Sequence, residues 1–168
     1  YSVAMGFETV ASDMGAVAMG SGTTASGRAA VAFGGNTTAS AMHAMAFGIG
    51  TTASEQSATA MGSNTTASGK ASTATGYKAR AEGDYAFACG SETLAEGAAA
   101  FATGHDTHAA GHNSVAMGHG SIASGNSSLA IGLNTVTGSG YAIAAGNNTC
   151  LLYTSDAADE EDSVDLGG

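Results

Sequence analysis

The 168 residues contain no Pro, no Trp and only four Lys or Arg side chains. Residues 1–150 carry eight acidic and four basic side chains, a mild negative charge that gives nucleic acid no basic groove. The composition therefore predicts no binding to nucleic acid. No apolar run is long enough to cross a bilayer, so we also predict no membrane contact by this segment.

Glycine recurs with a constant spacing of 14 residues. We call this glycine position 0 and number the repeats as coils 1 to 11. The eleven glycines are Gly6, Gly20, Gly34, Gly48, Gly62, Gly76, Gly90, Gly104, Gly118, Gly132 and Gly146. Position −2 is Ala in every coil, and position +3 is Thr in nine of eleven. A register this strict indicates units that stack on one another in the same way, which is the organisation of a solenoid.

Each repeat predicts two short strands separated by turns. In residues 16–19 small and large side chains alternate with a period of two, as in a strand. Gly or Asn at +2 and Gly at +7 predict a turn after each strand. Fourteen residues are too few for a pair of helices but enough for two strands of about five residues each. We therefore predict an all-β parallel solenoid of about eleven coils, about 50 Å long at ~4.8 Å per coil.

The second strand predicts which side chains face inward. Position +4 includes Arg80, which would be unfavourable inside a thin coil without a partner. Position +4 should therefore face solvent, with +3 (Thr) and +5 (Ala) inside. The small residues at −4 and −2 match them on the first strand. Positions −3 and −1 should then face outward.

Positions −3 and −1 form an uncharged stripe of mostly apolar residues along the rod. A stripe this long is too large to leave exposed on a monomer, so the sequence predicts an oligomer. An alternative interpretation reverses the two faces and makes the stripe the core. The candidate interface residues are Val17, Met19, Val31, Phe33, Met45, Phe47, Met61, Val115, Met117, Leu129 and Ile131.

The repeated phrase, as in residues 114–118 (SVAMG) and 128–132 (SLAIG), resembles the head repeats of trimeric autotransporter adhesins of the YadA type. The resemblance covers residues 1–149. It implies a left-handed parallel β-roll and a homotrimer. It also implies an extracellular location on a bacterial surface, anchored in the outer membrane through a C-terminal region absent here. Heads of this type bind host matrix proteins or cell-surface receptors, but the repeat does not define the ligand-binding residues.

The C-terminal residues leave the repeat abruptly. Residues 151–168 (LLYTSDAADEEDSVDLGG) contain six acids and no base. They resemble a translated sequencing-adapter read, and a genuine acidic linker is the alternative. We predict two segments, a β-roll head fragment over 1–149 and a disordered, non-native acidic tail over 150–168.

Few residues suggest catalysis or metal binding. Cys89 and Cys150 lie about 19 Å apart along the predicted rod, which is too far for a disulfide. His105 and His119 should stack about 5 Å apart on adjacent coils, with Asp106, His108 and His112 nearby in sequence. A metal site there is the alternative to solvated histidines. We predict no enzyme activity, catalytic residue, metal or cofactor.

Three functional classes share this pattern. Adhesion by a rigid trimeric rod is the main prediction. A phage or surface fibre shaft would have the same fold. Ice binding would need a long outward row of threonines, whereas the +4 row has Thr in coils 2 to 5 only.

Overall fold

The computed structural model describes residues 1–152, which form 22 β-strands and no helix. Each coil contributes one five-residue strand and one two-residue strand. The two kinds of strand build two separate parallel sheets of eleven strands each, the long-strand sheet and the short-strand sheet. The predicted all-β solenoid of about eleven 14-residue coils is therefore confirmed.

The long strands are β1 (Val3–Phe7), β3 (Val17–Ser21), β5 (Val31–Gly35), β7 (Met45–Ile49), β9 (Thr59–Ser63), β11 (Thr73–Tyr77), β13 (Phe87–Ser91), β15 (Phe101–His105), β17 (Val115–His119), β19 (Leu129–Leu133) and β21 (Ile143–Asn147). The short strands are β2 (Val10–Ala11), β4 (Thr24–Ala25), β6 (Thr38–Ala39), β8 (Thr52–Ala53), β10 (Thr66–Ala67), β12 (Arg80–Ala81), β14 (Leu94–Ala95), β16 (His108–Ala109), β18 (Ile122–Ala123), β20 (Val136–Thr137) and β22 (Cys150–Leu151).

Strand pairing is in register from coil to coil. Each residue pairs with the residue 14 positions later, as Ala18 does with Ala32 and Gly20 with Gly34. Every column of the sequence repeat is therefore a straight row of side chains along the rod. Strand pairing thus explains the fixed spacing of 14 residues.

The glycine at position 0 permits close stacking. Gly48 has φ +122°, a backbone conformation that side chains other than Gly rarely adopt, and a Cβ there would lie 1.9 Å from the carbonyl oxygen of Gly62. Coils 1 to 10 show the same approach of a position-0 glycine to the next one. Glycine is thus required in this column both by its φ and by the lack of space.

The short strands are shorter than the predicted five residues because turns confine them on both sides. The turn at +2 is confirmed: its residue has positive φ in every coil, as in Asn36 (φ 52°). The second turn begins at +7, but its left-handed residue is at +9, as in Ala29 (φ 53°), and not at the glycine. Gly27 instead allows two coils to approach closely, because a Cβ there would lie 2.0 Å from the Ala41 carbonyl oxygen of the next coil.

The interior is narrow and contains only small side chains. Positions −4, −2, +3 and +5 are buried over most of the rod, and the largest side chains with under 2% exposure in the described residues are threonines. The predicted orientation is therefore confirmed, and the reversed interpretation, with the stripe as core, is wrong. Several inward threonine hydroxyls, including those of Thr51 and Thr65, have no hydrogen-bond partner among residues 1–152.

The end of the described chain extends the stack slightly. Cys150 and Leu151 form β22 and pair with Val136 and Thr137 of β20, so strand pairing continues two residues past the predicted boundary at 149. The prediction for the rest of the acidic tail falls on residues 153–168, which lie outside the described residues.

Replacing a position-0 glycine should destabilise the stack strongly. In Gly62→Ala the new Cβ would lie 2.1 Å from the Gly76 carbonyl oxygen, at φ +118°. Strain and overpacking together predict a loss of at least about 2 kcal/mol of unfolding free energy in urea titrations. The matched control is Gly35→Ala, because nothing lies within 4 Å of that Cβ. Equal unfolding midpoints for the two variants would contradict this account.

A larger interior side chain should also destabilise the rod. Ala74 is fully buried and pairs with Ala60 and Ala88, so Ala74→Leu has no space for the added atoms. We expect a loss of about 1–3 kcal/mol, measured by thermal unfolding. Thr24→Val, on the outward face of the short-strand sheet, should stay within about 0.5 kcal/mol of the parent. The reverse order of melting temperatures would refute the assignment of the interior.

Candidate functional site

The outward face of the long-strand sheet carries the predicted stripe. We call the −3 and −1 columns of this sheet the interface stripe. The structure places all eleven predicted interface residues on it, and none of them is buried. The half-buried ones are Val17, Met19, Val31, Phe47, Val115, Met117 and Leu129. The exposed ones are Phe33, Met45, Met61 and Ile131.

The interface stripe is continuous because its rows stack in register. Met19 pairs with Phe33, and Phe33 with Phe47. Phe87 and Phe101 stack with ring centroids 5.0 Å apart. The protein therefore presents an uncharged ridge of mostly apolar side chains about 50 Å long on one side of the rod. Cys89 lies within the stripe, half-buried, and both it and Cys150 are free thiols, as predicted.

The outward face of the short-strand sheet is polar in coils 2 to 5. Thr24, Thr38, Thr52 and Thr66 form a row that pairs in register. The row ends at Arg80, which pairs with Thr66. Four coils give a short hydroxyl row only, and nothing else in the described residues extends it.

In coils 6 to 8 the outward residues of this face are Arg80, Leu94 and His108, and charged side chains lie on the turns beside it. The charged belt consists of Lys78, Arg80, Glu82, Glu92, Glu96, Asp106 and His108. These residues occupy positions +2, +4 and +6, which lie on the short-strand face and the turns that flank it. Register stacking thus brings together residues that are up to 30 positions apart in sequence.

Three ion pairs connect side chains within the belt. Lys78 Nζ lies 3.0 Å from Glu92 Oε1, and His108 Nε2 lies 2.8 Å from Glu96 Oε2. Arg80 donates a hydrogen bond to Glu82. The hydrogen bond to Glu92 and the nearby Tyr77 raise the pKa of Lys78 above its ordinary value. Each pair has at least one exposed partner and the other is exposed or half-buried, so the pairs contribute little to stability.

A shallow depression of about 360 Å³ lies within the belt. Leu94 and His108 line it together with charged groups of the +2 turn, among them Lys78, Glu92 and Asp106. Its lining therefore combines a small apolar surface with both signs of charge.

The predicted histidine pair is brought together on the adjacent coils 8 and 9. The rings of His105 and His119 stack with centroids 4.8 Å apart and planes 9° apart, close to the predicted 5 Å. No group of three or more His, Cys, Asp or Glu side chains within residues 1–152 is arranged to hold a metal ion. The structure thus shows a stacked imidazole pair with no further ligand beside it in that range.

Comparison with protein families matches the repeat itself. The YadA head domain repeat matches the segments 1–23, 25–51, 40–65, 53–79, 67–93, 95–121 and 109–135. The chain belongs to the YadA head-repeat family. No curated protein matches it.

Membership in the YadA head-repeat family supports an adhesin-type head domain of a trimeric autotransporter. The repeat and the solenoid fold are structural rather than enzymatic in character. In the part of the chain that the structure describes, no helix is long and apolar enough to cross a membrane. Because small side chains fill its interior, the rod can contact other molecules only through its outward surfaces.

Sequence reasoning identified the interface stripe and the histidine pair but did not identify the charged belt. The signal was present, since Lys78, Arg80 and Glu82 all depart from the residues that coils 2 to 5 carry in the same columns. These unusual residues can be recognised as one cluster only when the structure shows that the +2, +4 and +6 columns lie on the same surface.

Removing the partner of Lys78 should lower the pKa of that amine. In Glu92→Gln the carboxylate that accepts the Lys78 hydrogen bond is lost, so the pKa should fall toward that of an ordinary lysine. NMR titration can follow it easily, because the chain has only two lysines, Lys70 and Lys78. Glu55→Gln, on a distant coil, is the control and should leave the Lys78 titration unchanged. The melting temperature should be the same in both variants, because the pair is exposed. An unchanged Lys78 titration in Glu92→Gln would contradict the pairing.

Proposed function

We propose that this protein is an adhesin head that acts as a rigid homotrimeric rod on a bacterial cell surface, anchored in the outer membrane. In this proposal it binds host extracellular matrix or other cells. The interface stripe carries the proposal, because a ridge about 50 Å long without a charged residue faces outward along the whole stack. Membership in the YadA head-repeat family supports the adhesin role.

The thin interior makes association favourable. Ala, Ser and Thr fill the core, so each coil buries little apolar surface by itself. The larger apolar side chains, such as Phe33 and Met61, are outside. Fully burying a Val, Leu, Ile, Phe or Met side chain is worth about 1.5–3 kcal/mol. Burial of even part of this surface in every coil works against the entropy lost on association, which is of order 4–15 kcal/mol.

A trimer built through the stripe leaves the other face available for ligands. The stripe lies on the long-strand sheet, whereas the charged belt lies on the short-strand sheet and its turns. A structural fibre shaft would have the same solenoid and the same stripe. A test of adhesion to cells therefore distinguishes an adhesin head from a shaft.

A charge in the middle of the stripe should weaken the trimer. In Met61→Lys three ammonium groups would come close to one axis and lose hydration, so the trimer should dissociate at micromolar concentration in sedimentation experiments. Thr66→Lys is the matched control, because Thr66 lies on the opposite outward face of the same coil. Beads coated with the parent or with Thr66→Lys should adhere to cultured host cells, and beads coated with Met61→Lys should adhere less.

Two results would contradict the proposal in separate ways. A parent protein that sediments only as a monomer would refute the trimer. A trimer that adheres to no cell type and to no immobilised matrix protein would refute the adhesin function and favour a shaft.

A further inference from the structure

The interface stripe changes its shape in the middle of the rod. In its −1 column, coils 1 to 5, 9 and 10 carry large apolar side chains, which are Met5, Met19, Phe33, Phe47, Met61, Met117 and Ile131. Coils 6 to 8 carry Thr75, Cys89 and Thr103 instead, which pair in register. We call these three residues the recess. At ~4.8 Å per coil, the −1 column is lower over roughly 14 Å of the ridge.

The −3 column changes in the opposite sense at the same place. Phe occurs in this column only in coils 7 and 8, as Phe87 and Phe101. We call these two residues the Phe pair, and their rings stack with centroids 5.0 Å apart and planes 9° apart. The other nine coils carry Val, Met, Thr, Leu or Ile at −3. In coils 7 and 8 the bulky side chains have therefore moved from one column of the stripe to the other.

The interior does not account for this exchange. Ala88 and Ala102, which lie between the two columns in coils 7 and 8, are fully buried like the alanines of neighbouring coils at −2. The Phe pair and the recess lie on the outward face and are half-buried. The exchange thus alters the surface and leaves the scaffold beneath it unchanged. Its physical cause must be sought in what covers the stripe.

A closed trimer brings the two edges of the stripe together. In a ring of identical chains around a threefold axis, each chain uses one edge against one neighbour and the opposite edge against the other. The −3 and −1 columns are the two edges of the interface stripe. The Phe pair of one copy then lies opposite the recess of the next, so large side chains fill the space that small ones leave.

A regular ridge alone would leave the register of the copies almost undefined. Two copies that slide by one coil still bury ten of their eleven coils, so burial distinguishes the two arrangements weakly. Coils 7 to 9 make the distinction stronger. A slide of one coil sets Phe101 against Met117 in one direction and leaves Thr103 opposite Val115 in the other, which overpacks the contact or leaves a void. Copies that slide in the same sense cannot close a ring and build open fibres.

We propose that coils 6 to 8 determine which partner this surface accepts, namely a second copy of the same chain in the same register. The Phe pair of one copy packs into the recess of the next around a closed ring of three. The inference rests on the proposed trimer and names the residues that set its register. The rest of the stripe supplies burial, whereas this segment supplies specificity.

Two double variants restore the residues of the regular coils at one edge each. Cys89→Met with Thr103→Met fills the recess, and Phe87→Val with Phe101→Val removes the Phe pair. The first overpacks the contact between copies and the second leaves a void in it. We expect each variant to raise the dissociation constant of the trimer at least about tenfold, measured by sedimentation of the full chain.

The matched control adds the same side chains away from the stripe. Thr52→Met with Thr66→Met places two methionines on the outward face of the short-strand sheet. This control should change the dissociation constant less than about twofold. All three variants alter outward residues, so their circular dichroism spectra should match that of the parent.

A mixture of the two stripe variants tests whether the fit is between copies. In a mixed trimer, two of the three contacts place added methionines opposite introduced valines, and only one contact stays mismatched. A one-to-one mixture should therefore associate at least about threefold more tightly than either variant alone. Packing within a single chain would give no gain on mixing.

A chain with all four stripe changes tests the register itself. It restores a more regular ridge, so it should associate again but form larger open assemblies beside the trimer, detected by light scattering. The parent should sediment as a trimer without these assemblies.

Tight association of the filled recess, or a mixture no tighter than its parts, would overturn the inference. A purely trimeric fourfold variant would refute the role of this segment in register. The proposed function is judged separately by the parent, since a monomeric parent would refute the trimer itself. A trimeric parent with unaffected variants would retain the proposed function and refute only this inference.

Discussion

The structure depends on the close approach of successive coils at the position-0 glycine. At Gly48 a Cβ would lie 1.9 Å from the carbonyl oxygen of Gly62, and the backbone has a φ that favours glycine. In-register pairing transmits this requirement from each coil to the next. The repeat is therefore a packing constraint, and the spacing of 14 residues is the length of chain that returns the backbone to the same place.

The same closeness determines what the core can contain. Ala, Ser and Thr fill the interior, and the larger apolar residues lie outside on the long-strand sheet. Several core threonines also keep hydroxyls without partners in the described residues, which is unfavourable in a buried site. A solenoid with so thin a core gains less stability from internal burial than a globular domain does. Most of the apolar surface that it can still bury lies on the outward ridge, where association with another chain would cover it.

The structure separates residues that build the rod from residues that are free to vary. Buried columns such as that of Ala74 keep their small size through the stack. The +2, +4 and +6 columns tolerate Thr, Arg, Leu or His, because their side chains reach solvent. A repeat fold can therefore carry a local chemical feature such as the charged belt without a change in its scaffold.

The sequence by itself determined the solenoid, the number of coils, the inward and outward columns and the separation of the two cysteines. It could do so because eleven copies of one repeat show the same spacing, and because Arg80 at +4 excludes that column from a thin core. The short strands, the left-handed residue at +9 and the role of Gly27 were decided by the tertiary structure. Those features depend on where the backbone of one coil meets the next, which spacing alone does not reveal. The charged belt is likewise a product of the fold, because only stacking places Lys78, Glu92 and Asp106 side by side.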